Sequence, residues 1–160
     1  MGYTEILAEI YAELNLIVPT DTANFATIGN IHDYVRIQNV DNTRITFKKD
    51  GTGAVCPEWF LTRINVDPES EEGTLEGIQH TFVLRGYYPV NDANQSEKLF
   101  QVLIDDILAH FRYKYTLDGV VWRIKPPAMT RFESVAIMLD GTYVHYCEIT
   151  FKPFEYAESD

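Results

Sequence analysis

The sequence predicts an α+β domain: a mainly antiparallel sheet with an N-terminal helix and a central helix packed on one face, plus a C-terminal β-hairpin. Three observations predict it. Two segments, 4–14 and 96–111, carry apolar residues at three- and four-residue spacing, the period of an amphipathic helix. The strand-like runs are grouped between and after these segments rather than alternating with them, which favours α+β over a doubly wound parallel sheet. Near the end, Asp140-Gly141 separates two apolar runs, the strongest short-range hairpin signal in the chain.

The first helix rests on Ile6, Leu7, Ile10, Tyr11 and Leu14, and Pro19 closes its segment. Residues 20–33 are small and polar apart from Phe25, Ile28 and Ile31, a loop long enough to suggest contacts or function. Segments 34–38 and 44–48 alternate in polarity and read as a hairpin, with Asp50-Gly51-Thr52-Gly53 as the next turn. A strand follows over 59–66. Residues 67–73 are rich in Glu, Ser and Pro and read as a flexible acidic loop.

A strand over 80–88 then leads to the second helix. Asn94 is placed to cap it and Glu97 to close a capping box, with Leu99, Leu103 and Ile107 on one stripe and Phe100, Ile104, Leu108 and Phe111 beside it. Residues 113–117 read as extended, with Asp118-Gly119 as a further turn before strands at 120–124, 133–139 and 142–151. With Asp140 and Gly141 as a two-residue loop, Ile137 faces Val144. One side then carries Val135, Ile137, Leu139, Val144 and Tyr146, and the other Ala136, Met138, Tyr143, His145, Cys147, Ile149 and Phe151. A sheet covered on one face alternates apolar with polar. This hairpin is apolar on both, so either a helix covers one side and a second layer the other, or another subunit covers one side, with the first set as the candidate subunit interface.

At 160 residues and 46% hydrophobic composition, the chain fits a single domain spanning 1–160, with a frayed acidic tail at 155–160. Ten Tyr, nine Phe and two Trp favour strands. No run has the length of a membrane span and the N-terminus lacks the order of a signal peptide, so cytosolic assembly and no membrane partner are expected. Cys56 and Cys147 have no metal-type spacing. The net charge of −11 argues against a nucleic-acid grip, because phosphate binding needs clustered Lys and Arg and the 13 basic residues are scattered. Acidic residues do cluster, at Asp67, Glu69, Glu71 and Glu72 and again at Glu155, Glu158 and Asp160.

Catalytic chemistry is sparse. His32, His80, His110 and His145 read as structural residues satisfied by neighbours. His145 and Cys147 share a strand face, but two ligands make no metal site. His32-Asp33 resembles half of a base and its orienting carboxylate, yet Ser70, Ser96 and Ser134 lack the glycines of a nucleophile elbow. Gly51-Thr52-Gly53 is a turn rather than a phosphate cradle. Asp105 and Asp106 diverge by about 100° on a helix and read as a solvated edge. No cofactor, metal or catalytic residue is expected.

The order of elements resembles the tail terminator proteins of long-tailed bacteriophages. An N-terminal helix over 4–14 precedes a polar loop and strands. His80-Thr81-Phe82-Val83-Leu84 then precedes a helix over 96–111, and the chain closes on Val144-His145-Tyr146-Cys147-Glu148-Ile149-Thr150-Phe151. The resemblance spans 4–151 and rests on element order rather than on an invariant motif. It implies a homo-oligomeric ring, usually hexameric, in the virion tail or neck, assembled in the host cytoplasm. Such a ring caps the tail tube, stops its polymerisation and joins the tail to the head. Its partners would be the tail tube protein and neck or connector proteins, and DNA would pass without specific binding. Asp67, Glu69, Glu71 and Glu72, and less so Asp105 and Asp106, are then candidates to face the lumen. Other readings are a neighbouring neck or head–tail connector protein, a small-molecule or peptide-binding module lined by Trp59, Tyr87, Tyr88 and Trp122, or an enzyme built on His32, His80 or His145.

Overall fold

A computed structural model describes residues 2–34, 47, 55–71, 75–121, 123–138 and 141–156. The fold is α+β. Helix α1 (Tyr3–Asn15) is followed by β1 (Asn30–His32), β2 (Glu58–Glu71), β3 (Leu75–Pro89), a 3-10 turn (Asp92–Asn94) and α2 (Ser96–Phe111). After these come β4 (Arg123–Ile124), β5 (Ala128–Ile137), β6 (Tyr143–Phe151) and β7 (Pro153–Tyr156). The sheet runs β1-β2-β3-β6-β5, with β7 pairing the far end of β3 and β4 pairing β7. All described pairings are antiparallel except β1 with β2. Among the described residues, no helix is long and apolar enough to cross a membrane.

Both helices lie on one face, as expected. Ile6, Ile10 and Leu14 of α1 and Phe100, Leu103, Ile104, Ile107 and Phe111 of α2 form one core with Trp59, Leu61, Phe82, Leu84, Ile149 and Phe151. The period-2 alternation of strands puts this set on one side of the sheet: Leu61 pairs with Leu84, Leu84 with Ile149, and Phe82 with Phe151. Each fully buried Leu, Ile or Phe contributes about 1.5–3 kcal/mol, so the two stripes dominate the stability of the fold.

The 20–33 loop turns two of its apolar side chains inward. Phe25 and Ile28 are buried in the core. The Ile28 carbonyl accepts the Trp59 indole N–H at 2.8 Å. Thr20 donates its N–H and its hydroxyl to the two carboxylate oxygens of Asp106, at 2.9 and 2.6 Å. Asp106 therefore pins this loop to α2, while Asp105 is exposed.

Several expectations are corrected. Residues 67–71 are not a loop: β2 runs through Glu71, with Asp67 paired to Gln79, Glu69 to Gly77 and Glu71 to Leu75. Alternation of Asp67, Glu69 and Glu71 with their neighbours suits a strand, and the pairing with β3 overrides the loop-like composition. Glu72 lies outside the described residues, as do the 34–48 hairpin apart from Tyr34 and Phe47, the 50–53 turn, Trp122, Leu139 and residues 157–160. The tail is not frayed at Glu155, which sits buried in β7 against His80.

Asn94 does not cap α2. A 3-10 turn precedes the helix, and Gln95 takes the N-cap in the left-handed region (φ 54°, ψ 49°). Residues 113–117 are not extended; turns closed by Leu117 N–H to Lys114 and Gly119 N–H to Thr116 carry the chain out of the helix.

The C-terminal hairpin differs by one residue from the sequence-based register. Met138 N–H donates to Thr142 O and Gly141 N–H to Met138 O, both at 2.9 Å, so three residues rather than two form the loop. Gly141 has φ +86°, in the left-handed region that favours glycine. Ile137 consequently pairs with Tyr143, and Ala136 with Val144. A one-residue slip exchanges faces. Val144 and Tyr146 lie on the face away from the helices and are buried, whereas Val135 and Ile137 are 58% and 68% exposed on the edge strand. The four described residues of the proposed interface, Val135, Ile137, Val144 and Tyr146, therefore do not form one face.

Candidate functional site: two open edges of one sheet

All four histidines are anchored. His32 Nε2 meets Glu58 Oε2 at 2.9 Å, so its partner is Glu58 and not the adjacent Asp33. His80 meets Glu155 at 2.9 Å with both residues buried. His110 donates to Glu13 at 2.6 Å, and Lys114 Nζ lies 3.2 Å from the same carboxylate. His145 donates from Nδ1 to the Ser134 carbonyl at 2.5 Å, which leaves Nε2 to accept from the Ser96 hydroxyl at 2.7 Å. Ser96 Oγ in turn accepts the Asn91 N–H at 2.8 Å.

The Ser96–His145 contact borders a cavity of about 220 Å³ lined in part by Val90, Lys98 and Val135. Its geometry is that of a brace, not of an exposed nucleophile. Ser96 and His145 are 2% and 4% exposed and their hydrogen bonds run to the surrounding backbone. The brace joins the start of α2 to β6 and to the bulge in β5.

Glu9, Glu13 and Asp118 bring carboxylate oxygens within 4.8 Å of one another. Burial and repulsion from Asp118 and Glu13 raise the Glu9 carboxyl above its ordinary value. Burial pushes Glu13 upward as well, but hydrogen bonds to His110, Asp118 and Lys114 outweigh it and hold its carboxyl below the ordinary value. Lys114 already supplies counter-charge here. Burial raises the Cys147 thiol far above its usual range, so it is no nucleophile at neutral pH.

Trp59, Tyr87 and Tyr88, the described members of the aromatic set considered as pocket walls, do not converge. Trp59 and Tyr88 pack against Phe100 on the helix side. Tyr87 is on the opposite face, 4.9 Å from Tyr146 between ring centroids. Burial, and then the nearness of Tyr87, raise the Tyr146 hydroxyl above its ordinary range.

Among the described residues, exposed apolar side chains include two groups at the sheet margins. Strand β5 ends the strand order and no described strand pairs its outer edge. Met129, Val135 and Ile137 on it are exposed, as is Tyr143 opposite Ile137. At the other side, β1 covers only Glu58, Trp59 and Phe60 of β2. Ile64 and Val66, 53% and 40% exposed, follow on the stretch that pairs with β3 alone among the described strands. Exposed apolar side chains on an unpaired strand are a liability in a lone chain and a resource for assembly.

Each edge carries a bulge at its apolar patch. The β2–β3 register shifts between Arg63 and Asn65, leaving Ile64 as the extra residue. The β5–β6 register shifts between Glu133 and Ala136, so Ser134 and Val135 together oppose His145. The Ser134 carbonyl in that bulge is the one held by His145. Sequence reasoning singled out Val135 and Ile137; it placed Ile64 and Val66 on the 59–66 strand without marking them as exposed, because exposure depends on which strands pair beside it. No protein-family model matches this chain, and no curated protein matches it either.

Proposed function

We propose that the chain is a ring-forming structural protein of a bacteriophage tail, of the tail-terminator type, which caps the tail tube, ends its polymerisation and joins it to the head. The observation that carries this reading is the pair of unlike apolar margins on opposite edges of one sheet. A closed cyclic ring is built from heterologous contacts, in which one patch of a subunit meets a different patch of the next. Two separate, dissimilar patches on one chain suit that arrangement, whereas a two-fold dimer needs one self-complementary patch.

The chemistry of the rest of the chain supports a structural role. The four histidines brace the fold and the buried thiol of Cys147 is silent. The acidic balance of −11 suits a conduit through which DNA moves without sticking, since carboxylates repel phosphates over about one Debye length, near 8 Å at physiological salt.

Sedimentation velocity and negative-stain electron microscopy of the purified chain test the reading. A closed ring with a central opening, seated at one end of a polymerised tail tube when the two are mixed, is the expected result. A chain that stays monomeric at every concentration and ignores the tube would overturn it.

A further inference from the structure

Ser134, in the bulge of β5, is strapped from two elements. Its carbonyl accepts from His145 Nδ1 of β6 at 2.5 Å, and its hydroxyl donates to Glu97 Oε1 of α2 at 2.7 Å. A carbonyl oxygen can only accept, so Nδ1 carries the ring proton and Nε2 of the neutral imidazole is an acceptor. The Ser96 hydroxyl donates to that Nε2 at 2.7 Å and is itself oriented by the Asn91 N–H, 2.8 Å from its oxygen. Ser96 thus selects the tautomer that the Ser134 carbonyl needs.

These bonds meet where the register of the hairpin changes. Glu133 pairs with Tyr146 and Ala136 with Val144, so β5 has one more residue than β6 between them. Continued from Glu133 without a bulge, the ladder would set Ser134 opposite His145, Val135 opposite Val144, Ala136 opposite Tyr143 and Ile137 opposite Thr142. Residues 138–141 would then form the loop, at an ordinary hairpin length. The apolar pattern does not reject this straight ladder. It puts Val135 beside the fully buried Val144, whereas the bulged ladder puts Ala136 there and leaves Val135 exposed. Something other than hydrophobic pattern has to hold the bulge.

We propose that His145, set by Ser96, is the register lock of the outer hairpin: its bond to the Ser134 carbonyl selects the bulged ladder over the straight one. The choice decides which side chains stand on which face of the outermost strand. In the bulged ladder Ile137 shares a face with Tyr143 and Ala136 with Val144. In the straight one Val135 and Ile137 move to the face of Val144 and Tyr146, and Ala136 to that of Tyr143. The start of α2 thereby governs the edge of the sheet, because the Ser96 hydroxyl fixes the proton on Nδ1. The lock acts whether or not that edge meets another subunit.

Cross-strand disulfide trapping in the full chain, with peptide mapping by mass spectrometry, reads the register directly. Tyr143 O accepts the Val90 N–H, so it faces β3 and leaves Ile137 and Tyr143 as a non-hydrogen-bonded pair. The Cα atoms of such a pair lie about 4.5 Å apart, within disulfide reach. With His145 intact, Ile137→Cys/Tyr143→Cys should oxidise to a bridge and Ile137→Cys/Thr142→Cys should not. His145→Gln reaches Ser96 but has no donor at the place of Nδ1, so there the 137–143 bridge should be lost and the 137–142 bridge gained. His145→Asn, whose amide nitrogen takes the place of Nδ1, should restore the first pattern. Circular dichroism establishes that each variant keeps its fold. A 137–143 bridge that persists in His145→Gln overturns the lock, leaving the turn to set the register alone. Loss of both bridges shows a frayed tip rather than a second register and equally rejects it. An Asn variant that slips like Gln assigns the effect to packing of the ring and rejects the bond. If His145→Gln does not fold, Ser96→Ala decides: the 137–142 bridge should appear, and an unchanged 137–143 bridge alone rejects the proposal.

Discussion

The indole of Trp59 lies flat against Gly86, its partner across the β2–β3 ladder: a Cβ on Gly86 would fall 2.3 Å from the indole Cζ3. The ring is fully buried and tied by its N–H to the Ile28 carbonyl, so it has no room to yield. Gly86→Ala should cost at least the 1–3 kcal/mol, roughly, of an overpacked core. Chemical denaturation monitored by Trp fluorescence measures it, and an unchanged midpoint would show that the indole can move.

The C-terminal hairpin separates two residues that a two-residue loop would place together. Val144 is 1% exposed and Ile137 is 68% exposed. Val144→Asp should therefore destabilise the chain by about 3 kcal/mol or more, as an unpaired charge in an apolar setting. Ile137→Asp should change the stability of the monomer by no more than about 0.5 kcal/mol. Equal losses at both positions, measured by urea titration below the assembly concentration, would restore the shorter loop.

On α2, Leu103 is fully buried against the sheet. Leu103→Ala should cost about 2–5 kcal/mol, the upper end applying if the cavity fails to collapse. Hydrogen exchange offers a second check. Amides from Leu99 to Phe111 should open only with global unfolding, and exchange as fast as in loops would contradict helix-on-sheet packing.

Gln95 holds a left-handed conformation just ahead of α2. A non-glycine residue there carries strain of about 1 kcal/mol, and glycine adopts the conformation without it. Gln95→Gly should raise the melting temperature slightly, provided the gain exceeds the extra freedom of the unfolded chain. Gln95→Ala should not.

The depressed carboxyl of Glu13 makes stability depend on pH in one direction. Its contribution is fully present above its ordinary value of 4.5 and is lost as pH falls below that through the lower folded-state value. Glu13→Gln should thus weaken the chain at neutral pH and flatten the acid limb of its stability profile below pH 4.5. The raised carboxyl of Glu9 works in the opposite sense, so Glu9→Gln should stabilise the chain at neutral pH. Thermal melts across pH 3–7 resolve the two, and parallel profiles for wild type and Glu13→Gln would remove Glu13 from the acid response.

By itself the sequence determined the helices, the side of each that is buried, and the α+β class. Periodicity is a local property: Ile6, Ile10 and Leu14, or Phe100, Leu103 and Ile107, must face one way once the backbone is helical, whatever they meet. Tertiary structure alone decided the register of the last hairpin, because one extra loop residue and a bulge at Ser134-Val135 shift the pairing without altering the apolar pattern. It also decided that the acidic stretch at 67–71 is a strand, since β3 supplies partners that its composition does not announce. The histidine partners were equally out of reach, with His110 meeting Glu13 across 97 residues and His80 meeting Glu155 across 75. Such contacts form only where folding has already brought distant segments together, so one chain read along its length carries the propensity for each element but not the geometry between them.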